Sequence, residues 1–131
     1  MKIALIVAAL TPLVFASLSF AADESAAPAK GPLYHVVCLK FKEGTTPDQI
    51  KQVEEAFREL KTKIPTVLTL HWGTNVSPEK RNKGFTHCFV LTFANKKDRD
   101  GYLVDPAHKA FGKLAGPFFD DVFVVDFIGQ D

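Results

Sequence analysis

Apolar residues recur at helical spacing over one long segment, which predicts an amphipathic helix there. The segment opens at Thr46, a residue that can cap a helix, and Gln49 completes a capping box with it. The apolar stripe then runs from Ile50 to Ile64, while charged residues occupy the opposite face. Pro65 ends the segment.

Four other segments are rich in β-branched, aromatic and other apolar residues and predict strands. They are residues 33–41, 66–72, 85–93 and 121–129. Between the last two strands, Asn95 can start a short helix that reaches Tyr102. A further helix is predicted from Pro106 to about Ala115. The fold is therefore predicted to be α+β, with a ferredoxin-like β-α-β-β-α-β order and an antiparallel sheet that has helices on one face.

Both faces of the predicted sheet are apolar. In the strand at 85–93, for example, Phe89 and Leu91 alternate with Cys88 and Val90, so hydrophobic side chains point to both sides. Helices on one side of the sheet cover only one of these faces. We therefore expect a homodimer in which the uncovered faces of two sheets pack together.

The N-terminal residues have the pattern of a secretory signal peptide rather than of a folded element. An apolar run from Ile3 to Ala16 follows Lys2, and small residues precede Ala22. This predicts a signal peptide over residues 1–21 and export to the periplasm or the extracellular space. The alternative is a membrane anchor, which the proline within the run disfavours, so no stable membrane insertion is expected after cleavage.

The remaining residues predict a flexible leader at 22–32 and one domain at 33–129. Cleavage would remove one of the 16 basic residues and leave 15 basic against 15 acidic ones, a formal net charge of zero. A balanced chain has no basic patch of the kind that binds nucleic acid, so no nucleic-acid partner is expected.

Five residues that can carry chemistry are predicted to meet at the helix-facing side of the sheet, three from strands and two from the helices above them. They are His35, His87, Tyr102, His108 and Asp126. We place the two strand histidines in the same register on neighbouring strands. Pro106 breaks the helix between the tyrosine and His108, so both side chains can point to one place.

An apolar lining would complete a small-molecule pocket around these five residues. Its predicted members are Val37, Leu39, Phe57, Phe89 and Phe111. His108 in a first helical turn favours the neutral form and suits a general base. Tyr102 can donate to a carbonyl oxygen, and Asp126 can orient His108. For His35 and His87, a purely structural role is the alternative.

Three functions fit this pocket. The first is a homodimer that binds a small apolar or polyketide-like molecule without turnover. The second is a cyclase-like or isomerase-like enzyme that needs no cofactor, with His108 as general base and Tyr102 polarising a carbonyl. The third is a metal or haem site formed by the pocket histidines. Because no close spacing such as HxH is present, no metal or cofactor is expected.

Three segments resemble a known family. They are HVVCLKF at 35–41, GFTHCFVLTF at 84–93 and YLVDPAHKAFGKLAGPFFDDVFVVDF at 102–127. Over residues 33–128 the chain is similar to the stress-responsive dimeric α/β-barrel (Dabb) family. The resemblance implies a homodimer in which two four-stranded sheets close into a barrel.

The resemblance also implies site residues. In a polyketide cyclase of the family, which closes a ring by aldol condensation, the catalytic tyrosine and histidine match Tyr102 and His108. Its strand histidines match His35 and His87, and its orienting aspartate matches Asp126. A pocket tyrosine in its first helix is replaced here by Phe57, which lacks the hydroxyl.

Two cysteines, Cys38 and Cys88, are predicted to point to the same face of neighbouring antiparallel strands, away from the pocket. Directly opposite each other, they are within reach of a disulfide; offset by a residue pair, they are not. The sequence leaves both arrangements open.

Overall fold

The computed structural model describes residues 31–130. The predicted signal peptide and most of the predicted leader lie outside the described residues. The strands are β1 (Leu33–Phe41), β2 (Thr69–Thr74), β3 (His87–Phe93) and β4 (Phe119–Ile128). The α-helices are α1 (Pro47–Lys63), α2 (Lys96–Val104) and α3 (Pro106–Ala115), and a 3₁₀ turn, Gly116–Phe118, leads into β4.

The four strands form one antiparallel sheet in the order β2-β3-β1-β4. The first and third strands in the chain are thus central, and β2 and β4 are the two edges. This is the predicted ferredoxin-like α+β arrangement, and the prediction is confirmed.

The start of α1 shows why its position was predictable. The Gln49 backbone N–H donates to the Thr46 hydroxyl oxygen at 3.3 Å, and the Thr46 N–H donates to the Gln49 side-chain oxygen at 2.9 Å. Pro47 occupies the first turn, where its missing N–H costs nothing. Val53 and Phe57 lie on the buried face, as the apolar stripe predicted.

Two strands begin later than predicted, because turns occupy their predicted first residues. The chain leaves α1 through a turn in which the Val67 N–H donates to the Ile64 carbonyl, so β2 begins only at Thr69. Before β3, the Phe85 N–H donates to the Asn82 carbonyl in a second turn.

The core lies between the helices and one face of the sheet, here called the helix-covered face. Odd-numbered residues of β1 and β3 point into it, so that Leu39, Phe89 and Leu91 are almost fully buried. The opposite face of the sheet, here called the open face, is covered by no element among residues 31–130. Phe123 and Phe127 on this face are 53% and 49% exposed. No helix among these residues is both long enough and apolar enough to cross a bilayer.

Candidate functional site

His35 forms the centre of a buried polar cluster at one end of the helix-covered face. It pairs with Asp126 across β1 and β4, and its Nδ1 lies 2.6 Å from Asp126 Oδ1. The other carboxylate oxygen accepts from the Arg99 guanidinium, which reaches the site from α2. His35 is only 4% exposed. Its position is therefore fixed by a carboxylate that is itself paired with a cation.

The protonation of His35 follows from this environment. Burial, and secondarily the positive charge of Arg99, lowers the pKa of His35 to about 4. The ring is therefore neutral at neutral pH. Because a carboxylate only accepts, Nδ1 carries the proton and donates it to Asp126. Within the part of the chain that the structure describes, no group hydrogen-bonds to Nε2, so its lone pair is free.

Tyr102 lies beside His35 on α2 and is only 1% exposed. Its ring centroid is 5.7 Å from that of His35 and 4.5 Å from that of His108. Burial raises the pKa of Tyr102 above its ordinary value. The phenol is therefore protonated and can act as a donor, but not as a base, near neutral pH.

His108 reaches the cluster because the helix is broken before it, as predicted. Asp105 ends α2 and also caps α3, where its carboxylate accepts from the Ala107 N–H at 2.8 Å. The His108 Nδ1 donates to the Leu103 carbonyl at 3.2 Å. Burial is the main cause that lowers the pKa of His108, and His35 adds to it. The Nε2 of this ring is therefore also free to accept a proton.

The role predicted for Asp126 is wrong in one respect. Its carboxylate hydrogen-bonds to His35 and Arg99, whereas His108 is oriented by the backbone carbonyl of Leu103. The physical reason is register, because β4 places Asp126 directly opposite His35.

His87 does not join this cluster, so the predicted meeting of three histidines is also wrong. It pairs with Leu39, whereas His35 pairs with Leu91. Four residue pairs separate the two histidines, which is roughly 13 Å along the strands. His35 and His87 therefore lie on the same helix-covered face but too far apart to form one site.

The surroundings of His87 are those of a structural residue. Its Nε2 is 2.9 Å from Glu54 Oε1, and its Nδ1 is 2.8 Å from the Thr86 hydroxyl. The Trp72 ring lies parallel to its ring. Both nitrogens are thus occupied, and the bond to Glu54 ties α1 to the sheet.

These positions disfavour the metal or haem alternative as it was predicted, because His35 and His87 are too far apart to share one ion. Among residues 31–130, no three histidine, cysteine or acidic side chains are grouped as metal ligands would be.

The five apolar side chains predicted as a pocket lining lie in the hydrophobic core or pack against it. Phe57 stacks on Phe89 with ring centroids 3.8 Å apart, and Phe111 meets Phe57 edge-on at 4.9 Å. Val37 and Leu39 are buried in the same core. Their contact with a ligand stays a prediction.

Sequence reasoning missed two charged residues, Arg99 and Glu54. Arg99 precedes Tyr102 by three residues, so the two share one helix face, and this spacing was a usable signal. Glu54 follows the buried Val53 on α1 and was assigned to the solvent face. Only the packing of α1 on β3 shows that it reaches His87.

A groove of about 470 Å³ lies on the open face, between the sheet and the segment that joins β2 to β3. Its walls include Phe85, Val90 and Phe123, together with the exposed His71. It is separate from the His35 cluster, which lies across the sheet.

The residues 33–129 match the model of the stress-responsive A/B barrel domain (Dabb) family. The chain therefore belongs to this family. It is 35% identical over 99 residues to the stress-response A/B barrel domain-containing protein HS1 of Arabidopsis thaliana, covering 76% of this chain and 91% of that protein. It is 28% identical over 93 residues to olivetolic acid cyclase of Cannabis sativa, covering 71% and 92%.

Solved structures give the same fold. A hydroxynitrile lyase from Passiflora edulis superposes with a TM-score of 0.72 at 26% identity, over 77% of this chain and 95% of that one. A dimeric ferredoxin-like protein of unknown function from Jannaschia sp. CCS1 superposes with a TM-score of 0.66 at 26% identity, over 76% and 100%. Enzymes and dimers thus occur among the proteins that this chain resembles.

Proposed function

We propose that the chain is a homodimeric acid–base catalyst that transfers a proton on a small carbonyl compound at the cluster of His35, Tyr102 and His108. One observation carries the proposal. A buried, protonated phenol lies between two neutral imidazoles whose Nδ1 atoms donate to the protein and whose Nε2 atoms have no hydrogen-bond partner among residues 31–130. Such a set offers one donor and two bases with no metal or cofactor.

Each group has a distinct role in the proposed reaction. The Tyr102 hydroxyl donates to the substrate carbonyl oxygen, which stabilises negative charge as it develops there. His108 takes the proton from the neighbouring carbon through Nε2 and later returns it. His35, held by Asp126, is a second base that can accept a proton within the same site. His108 is the more accessible of the two rings, which suits the group that meets the substrate first.

The names of two relatives support this class of reaction. One is a cyclase and another is a hydroxynitrile lyase. We therefore expect activity on compounds with an acidic carbon next to a carbonyl, or on cyanohydrins. The cyclase-type and lyase-type reactions share a need for one positioned donor and one positioned base.

A panel of 1,3-dicarbonyl compounds and aromatic cyanohydrins tests the proposal. Deuterium exchange at carbon is followed by NMR, and aldehyde release by absorbance. His108→Ala is expected to abolish the enzyme-dependent rate, while Lys51→Ala, which removes an exposed side chain of α1, leaves it unchanged. Equal rates in the wild type and His108→Ala would refute catalysis at this site.

Homodimerisation is part of the proposal, and the open face supports it. Phe123 and Phe127 are exposed there. Val125 lies on the same face of β4 and is 43% exposed. A second copy would cover this apolar surface, and the unpaired edges β2 and β4 would meet in a closed barrel. Native mass spectrometry distinguishes the dimer from a monomer directly.

The groove on the open face favours a second candidate, which is the binding of a small apolar molecule without turnover. Its volume of about 470 Å³ matches that of small-molecule sites, and a partner sheet would enclose it. Native mass spectrometry of protein from its own source would then find an organic mass on the dimer. Loss of that mass in Val90→Asp, with retention in His108→Ala, would place it in the groove.

We also propose export, with cleavage before Ala22. The N-terminal pattern of the sequence supports it. The intact mass of the protein isolated from its source would then correspond to a chain that begins at Ala22, whereas a mass that includes Met1 would contradict export by cleavage.

A further inference from the structure

We propose that Cys38 and Cys88 are a site of covalent modification and form an intramolecular disulfide across β1 and β3. The sequence left open whether these residues are opposite or offset. In the structure they are direct Cα partners, and both are free thiols. Both side chains are on the open face and line the groove, so a small disulfide can reach them in an isolated subunit.

The backbone hydrogen bonds show which kind of cross-strand pair this is. The Thr92 carbonyl accepts from the Leu68 N–H at 2.9 Å, and the Thr86 carbonyl accepts from the Asn75 N–H at 2.8 Å. Thr86 precedes β3 and donates its own N–H to the Leu39 carbonyl of β1, so only Thr92 lies within the regular part of the strand. Residues of β3 that alternate in step with Thr92 therefore direct their backbone groups towards β2. Cys88 is one of them, so it shares no backbone hydrogen bonds with its partner on β1.

Cys38 and Cys88 are thus a non-hydrogen-bonded pair. In such pairs the Cα atoms are about 4.5 Å apart and the side chains lie closer than in hydrogen-bonded pairs. A disulfide needs a Cα separation of about 4.4 to 6.8 Å, so the bond can form with little movement of the backbone. On the other side of Cys88, β2 carries Gly73, which adds no side chain over the thiol.

The reaction is a thiol–disulfide exchange with a small disulfide such as oxidised glutathione. One cysteine thiolate attacks a glutathione sulfur, and one reduced glutathione leaves. The second cysteine thiolate then attacks the protein sulfur of the mixed disulfide, and a second reduced glutathione leaves. Two protein thiols are oxidised, one glutathione disulfide is reduced, and the two thiol protons end on the two leaving thiols.

The environment of Cys38 predicts how fast this exchange occurs. Burial, together with the neighbouring Cys88 thiol, raises the pKa of Cys38 to about 11. Because the thiolate is the nucleophile, exchange is expected to be slow at neutral pH and to accelerate as the pH rises. In the proposed dimer the partner sheet would also cover both thiols, so the bond forms before the dimer closes or while it is dissociated.

The test is refolding of the full chain in a buffer that contains both reduced and oxidised glutathione, followed by acid quenching, alkylation and mass spectrometry. We expect a mass lower by two hydrogens, no alkylation, and a digest in which the Cys38 and Cys88 peptides are linked within one chain. Refolding removes the shielding that a preformed dimer would impose.

A matched control keeps two cysteines but offsets them. The double variant Cys88→Ser with Val90→Cys places the second thiol opposite Val36, diagonal to Cys38, where the side chains are about 7–8 Å apart. In the same buffer it is expected to stay reduced or to carry glutathione. Cys38→Ser is expected to carry glutathione only on Cys88.

Two results would overturn the proposal. One is a wild-type chain whose two cysteines are alkylated, or modified separately by glutathione, to the same extent as in the offset variant. The other is a link that joins two chains, which non-reducing electrophoresis detects.

Discussion

Two histidines on the same face of the sheet show what separates a structural residue from a candidate catalytic one. His35 and His87 are both buried, both lie on central strands and both hydrogen-bond to a carboxylate. Both ring nitrogens of His87 are occupied, whereas His35 uses only Nδ1. The number of free nitrogens, rather than burial or an acidic partner, distinguishes the two.

The neighbours of the two imidazole rings also mark His87 as structural and His35 as a candidate catalytic residue. His87 lies against the rings of Phe41 and Trp72, neither of which carries a hydroxyl group. His35 lies beside Tyr102, which is a hydrogen-bond donor, and this tyrosine contacts a second free imidazole in His108. At the His87 end of the sheet the side chains therefore only hold the structure together. At the His35 end, groups are available for proton transfer.

The largest expected effect on the free energy of unfolding comes from the loss of the His87 side chain. His87→Ala removes a buried ring from its contacts with Trp72 and Phe41, and it leaves the Glu54 carboxylate without its partner. We expect a loss of about 3–4 kcal/mol in the free energy of unfolding, measured with urea. Lys51→Ala, at an exposed position of α1, should change it by less than about 0.5 kcal/mol. A loss for His87→Ala as small as that of the control would contradict the structural role.

The next effect is a pH dependence that belongs to the His35 end. The pKa of His35 falls from 6.5 in the unfolded chain to about 4 in the folded one. The unfolded state binds more protons in this interval, so this contribution to stability is complete above pH 6.5 and is lost as the pH falls towards 4. The full loss is about 3 kcal/mol, and the lowered pKa of His108 acts in the same direction.

Denaturation of the wild type and of His35→Gln across this pH interval measures the effect. Glutamine retains a donor for Asp126 but does not titrate. As the pH falls, the wild type should lose unfolding free energy that the variant does not lose. The advantage of the wild type over the variant should therefore shrink. Parallel curves would show that His35 keeps its ordinary pKa in the folded protein.

The third effect is a fall in kcat that separates a catalytic role of Tyr102 from a packing role. Tyr102→Phe keeps the buried ring and removes only the hydroxyl, so we expect the unfolding free energy to change by less than about 1 kcal/mol. On any substrate found in the panel, kcat should fall about 100-fold, because the donor to the carbonyl oxygen is lost. A large loss of stability with unchanged kcat would make the hydroxyl structural.

The smallest effect tests the second nitrogen of His87. Thr86→Val removes the hydroxyl that lies 2.8 Å from Nδ1 and preserves the branched shape of the side chain. We expect a loss of about 1 kcal/mol in unfolding free energy and no change in kcat. A change in kcat would show that the contacts of His87 influence catalysis, so that its role is not purely structural.

Secondary structure was the most predictable level of this protein, because its signals are local. The capping box at Thr46 and Gln49 lies within four residues, and Pro106 stops one helix and starts the next regardless of distant contacts. The break between Tyr102 and His108 was predicted for this reason. The late starts of β2 and β3 were missed, because each turn ends in an apolar residue, Val67 or Phe85, that extends the strand pattern backwards.

The sites were less predictable, because they depend on register. Strand alternation correctly placed His35, His87 and Asp126 on one face, but alternation repeats every two residues and leaves sliding by two or four undetermined. That uncertainty allowed the three histidines to be grouped, and it left the cysteines undecided. Helix packing added Arg99, which its spacing from Tyr102 could have indicated, and Glu54, which no local signal placed against the sheet.

The sequence by itself thus determined the element order, the family and the face to which each strand residue points, since these follow from short-range periodicity and from motif. Only the tertiary structure decided that Asp126 meets His35, that His87 meets Glu54 and that Cys38 lies opposite Cys88. Those pairings join residues at least 33 positions apart. They depend on the register that minimises exposed apolar surface across the whole sheet, which no local pattern specifies.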